Sequence, residues 1–267
     1  MELLSKIAIV TGASKGVGRQ ISLDLAKKGC IVAMVARSTK LLENALQEVR
    51  QFSPNSTAFI CDVADHAVVK DVVRKVFKKF GRIDILINNA GIGIYRDFSD
   101  SSIDDFKSQM DTNYYGTLYF SKEVSSIMKK NGSGHIINIA SVAGKSGYPM
   151  ASGYCASKHA VVGLTEGMYH DLIPFKVNVS LICPGAIKGT EFFNHPSYEN
   201  FPHKTRHKHA ITVDVVSKAV FKALKTKKFE FIMPLRGKII SIGKNILTER
   251  YMDVVSKLDR GLFRENK

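Results

Sequence analysis

No run of about 18 or more consecutive apolar residues occurs in the sequence, so no conventional transmembrane helix is expected. The opening residues pass from Met1 into the short apolar stretch Ile7 to Val10 without the basic region, long apolar core or small-residue cleavage site of a secretory signal. Cysteine is scarce. Cys30, Cys61, Cys155 and Cys183 stand far apart with no CxxC or Cys/His ligand spacing, so neither a zinc site nor a disulfide framework is expected, and a reducing, cytoplasmic setting fits. Internal repeats, low-complexity tracts and interdomain linkers are missing. Acid is under-represented, with 24 Asp and Glu against 39 Lys and Arg and a formal charge of +15. Such an excess suits nucleic acid, an anionic membrane surface, or an acidic substrate or cofactor. Its spread favours a solvated surface: Lys70, Arg74, Lys75, Lys78 and Lys79 are interleaved with apolar residues, as on the wet side of an amphipathic helix. With no compact recognition motif beside the charge, no nucleic-acid partner is expected.

What is present is the rhythm of an α/β protein. Short Val/Ile/Leu-rich runs recur at Lys6 to Val10, Ile31 to Ala36, Thr57 to Cys61, Ile83 to Ile87, His135 to Ile139, Lys176 to Ile182 and Phe229 to Met233. Continuous apolar runs of this length mark strands buried on both faces of a parallel sheet. Helix-period segments lie between them at Gly16 to Lys28, Leu41 to Phe52, His66 to Phe80, Asp104 to Lys130, Ser152 to Leu172 and Asp214 to Thr226. The alternation predicts a Rossmann-type doubly wound parallel sheet of about seven strands with helices on both faces. At 267 residues the chain is expected to form a single domain over 1–267. Two segments break the rhythm. Residues 189–211 are polar, aromatic and His-rich, and so long a connection reads as a substrate lid. Residues 235–267 carry Ile239, Ile240, Ile246, Leu247, Tyr251, Val254, Val255 and Leu258 at helical spacing, which predicts a C-terminal amphipathic helix packed on the body or on a partner.

Chemistry enters at the first strand-to-helix turn, Thr11-Gly12-Ala13-Ser14-Lys15-Gly16-Val17-Gly18. Glycines there let backbone amides approach a pyrophosphate, and the helix N-terminus adds favourable partial charge. The second strand ends in Ala36-Arg37-Ser38, without the carboxylate that holds the ribose hydroxyls of NAD. Arg37 offers a planar fork for a 2′-phosphate and Lys15 a second cation, so NADP(H) is the expected dinucleotide. Farther on, Tyr154 and Lys158 are four residues apart on a helix and share one face. A nearby ammonium favours a phenolate, so Lys158 is expected to lower the Tyr154 pKa from its ordinary value of about 10 and fit the tyrosine for proton transfer. Asn88-Asn89-Ala90-Gly91, Ser141 and Pro184-Gly185 all fall at carboxyl ends of strands, where open α/β sheets bind ligands.

Together the TGxxxGxG turn, Asp62, the NNAG element, Asn113, Ser141, the YxxxK pair and Pro184-Gly185 resemble the classical short-chain dehydrogenase/reductase family, in family order over nearly the whole chain. The resemblance implies an oxidoreductase that interconverts a carbonyl and an alcohol by hydride transfer. Gly12, Gly16 and Gly18 would shape the diphosphate turn with Ser14 and Val17. Asp62 would contact adenine beside Val63, and Asn89, Ala90 and Gly91 would line the ribose region. Pro184, Gly185, Ile187 and Thr190 would border the nicotinamide, although Thr190 stands one residue later than the family pattern. Catalysis would fall to Asn113, Ser141, Tyr154 and Lys158: Ser141 holding the substrate oxygen, Tyr154 moving the proton, Lys158 holding the ribose, and Asn113 supporting a relay. A homodimer or homotetramer is also implied.

The substrate is less legible. Ser141, Tyr148, Tyr154, Phe192 and Phe193 are the expected substrate-binding residues, and the aromatics Tyr148, Phe192, Phe193, Tyr198 and Phe201 with Met150 suit an apolar or elongated carbonyl compound. A basic run, His203, Lys204, Arg206, His207, Lys208 and His209, suits either a solvated surface or the acidic carrier of an acyl thioester, which would make the enzyme a 3-oxoacyl-thioester reductase. Its histidines lack accompanying carboxylate or cysteine ligands, so no metal is expected. A non-catalytic NADP(H)-binding scaffold is the alternative of a different class. Peripheral membrane contact through the tail ranks behind packing on the body.

Overall fold

Seven short apolar runs pair side by side as parallel strands in the order β3-β2-β1-β4-β5-β6-β7. In a computed structural model the described residues are 3–190, 192, 197 and 210–254, without the side chains of Arg236, Ile240 and Asn245. The strands are β1 (Ile7–Thr11), β2 (Ile31–Ala36), β3 (Thr57–Ile60), β4 (Ile85–Asn88), β5 (Gly134–Ile139), β6 (Val177–Pro184) and β7 (Glu230–Met233). Side chains alternate between faces. Ala8 and Val10 of β1 pack with α1 (Gly16–Lys27), α2 (Thr39–Arg50) and α7 (Val213–Thr226). Ile7 and Ile9 face the other layer, which includes α3 (His66–Phe80) and α5 (Gly116–Asn131). Val161 and Val162 of α6 (Ser152–Leu172) pack with Leu181 and Cys183 of β6. Burial on both faces accounts for strands without polar alternation. The strand order reverses between β1 and β4, and that switch point opens the crevice in which the site is built.

Local chemistry sets the element ends. Asp65 caps α3, its carboxylate accepting from the Ala67 and Val68 amides at 2.9 and 3.1 Å, and Gly81 ends the helix in the left-handed conformation with φ 72°. Asp65→Ala is expected to destabilise the fold by about 1 kcal/mol, read as a lower urea midpoint at an unchanged m-value.

The sequence pattern predicts one helix over Asp104 to Lys130, whereas the structure divides it into α4 (Ile103–Gln109), a π-helical turn (Met110–Tyr115) and α5. The cause lies in Asn113. Its side chain binds both the amide and the carbonyl of Ile92, at 2.8 and 2.9 Å, and the inserted residue of a π-turn lets it reach inward while the flanking helices keep their buried faces. The C-terminal helix also differs from expectation. It runs as α8 (Leu235–Ile246), breaks at Leu247, and resumes over 248–254; Val255 and Leu258 lie outside the described residues. Ile239 and Ile246 of α8, and Leu247 and Val254 beyond it, are exposed.

Candidate active site

The turn after β1 is held in place by the side chains of Thr11 and Asn89. Thr11 Oγ1 accepts from the Asn89 and Ala90 amides at 2.9 and 3.0 Å, while Asn89 Nδ2 donates to the carbonyls of Thr11 and Gly12 at 3.0 and 3.3 Å. Asn89 thus ties the ends of β1 and β4 together across the switch point. The approach is too close for side chains: a Cβ at Gly18 would lie 2.2 Å from the Gly12 carbonyl oxygen, and one at Gly12 would lie 2.9 Å from Ala90 Cα. Gly12 and Gly16 also have positive φ, 64° and 53°. Val17 and Gly18 are buried at the start of α1. A bare-backbone cradle ending in a helix N-terminus fits a dinucleotide pyrophosphate.

Beside it, Ser14, Lys15, Gly16, Asn44 and Gly189 contribute to a cleft of about 330 Å³ between the turn and α2. Arg37 follows β2, exposed, with its Nη1 3.7 Å from Asp62 Oδ2 across the ends of β2 and β3. Ser38 begins α2 as its N-cap without a side-chain cap bond. Val63 turns away from this surface and packs on α5, its Cγ2 2.6 Å from where a Cβ at Gly116 would stand. At the far side, the Gly185 amide donates to the Met233 carbonyl at 2.7 Å, and Ile187 bridges to Ile211, pinning both ends of the 189–211 connection. Gly189 has φ 75°, and this left-handed residue brings Thr190 back toward the turn: its Cγ2 lies 3.4 Å from a Cβ built at Gly16. The residue that stands late in sequence therefore sits over the diphosphate turn, with Oγ1 bonded to the Ile187 carbonyl at 3.3 Å.

Ser141, Tyr154, Lys158 and Asn113 converge at the carboxyl ends of β4, β5 and β6. Ser141 caps the turn Val142–Gly144, accepting from the Ala143 amide at 3.1 Å and donating to the Pro184 carbonyl at 3.4 Å. Lys158 is buried, donates to the Ile139 carbonyl at 3.1 Å, and places Nζ 5.8 Å from the centre of the Tyr154 ring. Asn113 Nδ2 donates to Ser157 Oγ at 2.9 Å, and Ser157 donates to the Tyr154 carbonyl at 2.8 Å, so the π-turn fixes the helix that carries Tyr154 and Lys158. Gly91 marks the meeting point. A Cβ there would be 3.0 Å from Asn113 Oδ1 and 3.4 Å from Lys158 Nζ.

The electrostatics depart from the sequence-based expectation. Burial raises the Tyr154 pKa, opposed by the nearby Ser141 hydroxyl, and Lys158 is not the group that lowers it. The same burial pulls the Lys158 pKa down to about 8. Loss of water around the pair therefore outweighs their mutual influence, and the phenol keeps its proton through neutrality.

An aromatic wall stands beside the phenol. The rings of Tyr95 and Phe192 lie 5.7 and 5.8 Å from that of Tyr154, and Tyr148 packs on the same cluster with Ala143, Ala151 and Cys155. Phe193, Tyr198, Phe201 and the basic run 203–209 lie outside the described residues. Sequence reasoning missed Tyr95, in a loop with no periodicity to reveal it, along with the supporting Ser157 and Gln109, whose Oε1 accepts from the Ile94 amide at 2.9 Å.

Residues 6–200 match the family model for short chain dehydrogenase. The chain belongs to this family. Membership makes it an oxidoreductase with a nicotinamide dinucleotide site, and the fold agrees: a short chain dehydrogenase/reductase from Burkholderia phymatum, crystallised in complex with NAD, superposes with a TM-score of 0.85 at 26% identity over 93% of this chain and 96% of that one. Among other family members, the chain is 38% identical to 15-hydroxyprostaglandin dehydrogenase (NAD(+)) of Rattus norvegicus over 196 residues, 70% of each protein. It is 33% identical to the ketoacyl reductase HetN of Nostoc sp. over 231 residues, 86% of this chain and 79% of that one.

Proposed function

We propose that the protein is an NADP(H)-dependent oxidoreductase that interconverts a carbonyl and an alcohol, with Tyr154 as the proton-transferring group. The observation that carries this reading is the convergence of buried Ser141, Tyr154 and Lys158 at the sheet ends, with the Lys158 ammonium 5.8 Å from the centre of the Tyr154 ring and the glycine cradle alongside. When bound, the nicotinamide supplies or accepts the hydride. The residues of the chain do the rest. Gly12, Gly16 and Gly18 admit the pyrophosphate, and Thr190 flanks it. Ser141 and the Tyr154 hydroxyl form a two-point hydrogen-bonding site for a substrate oxygen, and in reduction the phenolic proton passes to that oxygen. The Lys158 ammonium, fixed on the Ile139 carbonyl, offsets the phenolate charge that remains. Tyr95, Tyr148 and Phe192 keep the pocket apolar and dry, which favours a substrate with apolar bulk next to its carbonyl.

Arg37 supports NADP(H) over NAD(H). It occupies the position where a carboxylate would hold the ribose hydroxyls, and its guanidinium lies free of the sheet within reach of Asp62. The NAD in the Burkholderia complex and in the name of the rat enzyme makes NAD(H) the rival outcome. Arg37→Asp is expected to shift the ratio of NADP(H) to NAD(H) affinity toward NAD(H) by about 10²- to 10³-fold, because it removes a charge-assisted contact and adds repulsion. Equal dissociation constants for the two cofactors in the wild type, or an unchanged ratio in the variant, would defeat the assignment. The activity itself is tested by NADPH oxidation with purified protein across aldehydes, ketones, quinones and 3-oxoacyl thioesters. Turnover of at least one class is expected, and no turnover with any would favour the non-catalytic scaffold.

A further inference from the structure

The C-terminal helix α8 is amphipathic in the opposite sense to a helix that serves the core. Among the described side chains, the side turned to the body is small or polar: a Cβ at Gly237 would meet Val142 Cγ1 at 2.9 Å, Ser241 is buried, and Lys244 Nζ donates to the Lys145 carbonyl at 3.1 Å. The opposite side carries Leu235, Ile239, Ile242 and Ile246, a spacing that lines them up along one stripe. Leu235, Ile239 and Ile246 are 71, 62 and 72% exposed, and Leu247, Met252 and Val254 extend the exposed apolar surface beyond the helix end. A contiguous apolar stripe of this kind calls for a partner.

Charge discriminates among the occupants. Lys238 and Arg250 are exposed on the same segment, lysine and arginine outnumber acid from residue 235 onward, and the whole chain carries +15. Two copies meeting through this face would bring like charges together, whereas an anionic surface is complementary to it. A short helix with an apolar stripe and flanking cations is also the form that lies in the plane of a bilayer interface. Among the described residues no helix is long and apolar enough to cross a membrane, so in-plane contact is the mode available to this segment.

We propose that the face formed by Leu235, Ile239, Ile242 and Ile246, with Lys238 and Arg250, docks on an anionic lipid surface. The segment is anchored beside the substrate pocket: Tyr251 shares a hydrogen bond with Ser146, and Gly237 and Lys244 rest on Val142 and Lys145, in the stretch that follows Ser141. Docking therefore holds the pocket side of the molecule toward the bilayer.

The test is co-sedimentation of the full chain with vesicles of phosphatidylcholine alone and of phosphatidylcholine with about one third phosphatidylserine. Binding to the anionic vesicles is expected to exceed binding to the neutral ones about tenfold or more and to weaken as salt is raised. The double substitution Ile239→Asp, Ile246→Asp is expected to lower that binding about a hundredfold, with the unfolding midpoint and the mass in solution unchanged. Four results would overturn the proposal. They are no binding by the wild type, binding that survives the double substitution, a large fall in its unfolding midpoint, showing that the chain itself covers the stripe, or loss of a wild-type oligomer in the variant, showing that a second copy does. Sedimentation is read without turnover, so it fails or succeeds separately from the catalytic assignment.

Discussion

Tyr154→Phe is expected to lower kcat/KM for carbonyl reduction by about 10²- to 10⁴-fold, the range spanned by a positioned general acid, with little change in the stability of the fold. The substitution keeps the ring, so its contacts with Tyr95 and Phe192 survive, and Ser141 retains its bond from the Ala143 amide at 3.1 Å. Only the proton donor is lost. Cofactor affinity is expected to hold, which separates this variant from one that damages the cradle. Full activity in Tyr154→Phe would remove the phenol from the reaction even with the fold intact. The pH profile supplies a second check. Burial keeps the Tyr154 hydroxyl protonated through neutrality, so its own ionisation does not limit reduction there. Lys158, with its pKa pulled down to about 8, loses its charge first, and with it the cation that offsets the developing phenolate. The rate of reduction is therefore expected to stay level through neutral pH and fall above about pH 8. A profile that rises across that range would reverse the assignment of the two groups.

The parts of the molecule visible in the sequence are those where one local rule suffices. Buried parallel strands write themselves as Val/Ile/Leu runs, so Ile31 to Ala36 is legible to the residue. The cradle is legible because Gly12 and Gly18 stand where any side chain would collide with backbone. What stayed hidden depends on distant partners. Nothing in the helical periodicity around Asn113 reveals the π-turn, because that turn answers to Ile92 and Ser157, neither of them on the same helix. Tyr95 meets the Tyr154 ring only because its loop folds back on α6. The sign of the Tyr154 shift is hidden for the same reason: the spacing to Lys158 shows the cation, but the burial that raises the pKa comes from the assembled sheet ends. The tail has the helical period, yet periodicity alone does not say which face turns inward. Gly237 and Ser241 seat it on the body and leave Ile239, Ile242 and Ile246 outside.

Lys158→Met is expected to act in opposite directions on activity and on stability. Activity should fall about 10²-fold or more, since the ammonium beneath Tyr154 is lost. Stability should rise. Lys158 is driven by burial from its ordinary pKa of 10.5 to about 8. That difference is a folding penalty of about 3 kcal/mol at neutral pH, where the unfolded and folded states both carry the charge but only the folded state buries it. The variant also loses the bond to the Ile139 carbonyl, which returns about 1–2 kcal/mol, so a net gain of about 1–2 kcal/mol is expected at pH 7. The sign of the pH dependence follows from proton binding. Between about pH 8 and 10.5 the unfolded chain holds more protons at this site than the folded one, so wild-type stability gains from this lysine as pH rises through that window. Above it the penalty is gone and only the lost hydrogen bond separates the two proteins, so their stability curves should cross within the window. Urea unfolding of both proteins across this pH range checks it. Parallel curves, with the methionine variant the less stable throughout, would show that the lysine carries no such burden. A crossing would show a fold that tolerates a buried cation at its own expense, as expected where the charge serves catalysis and not packing.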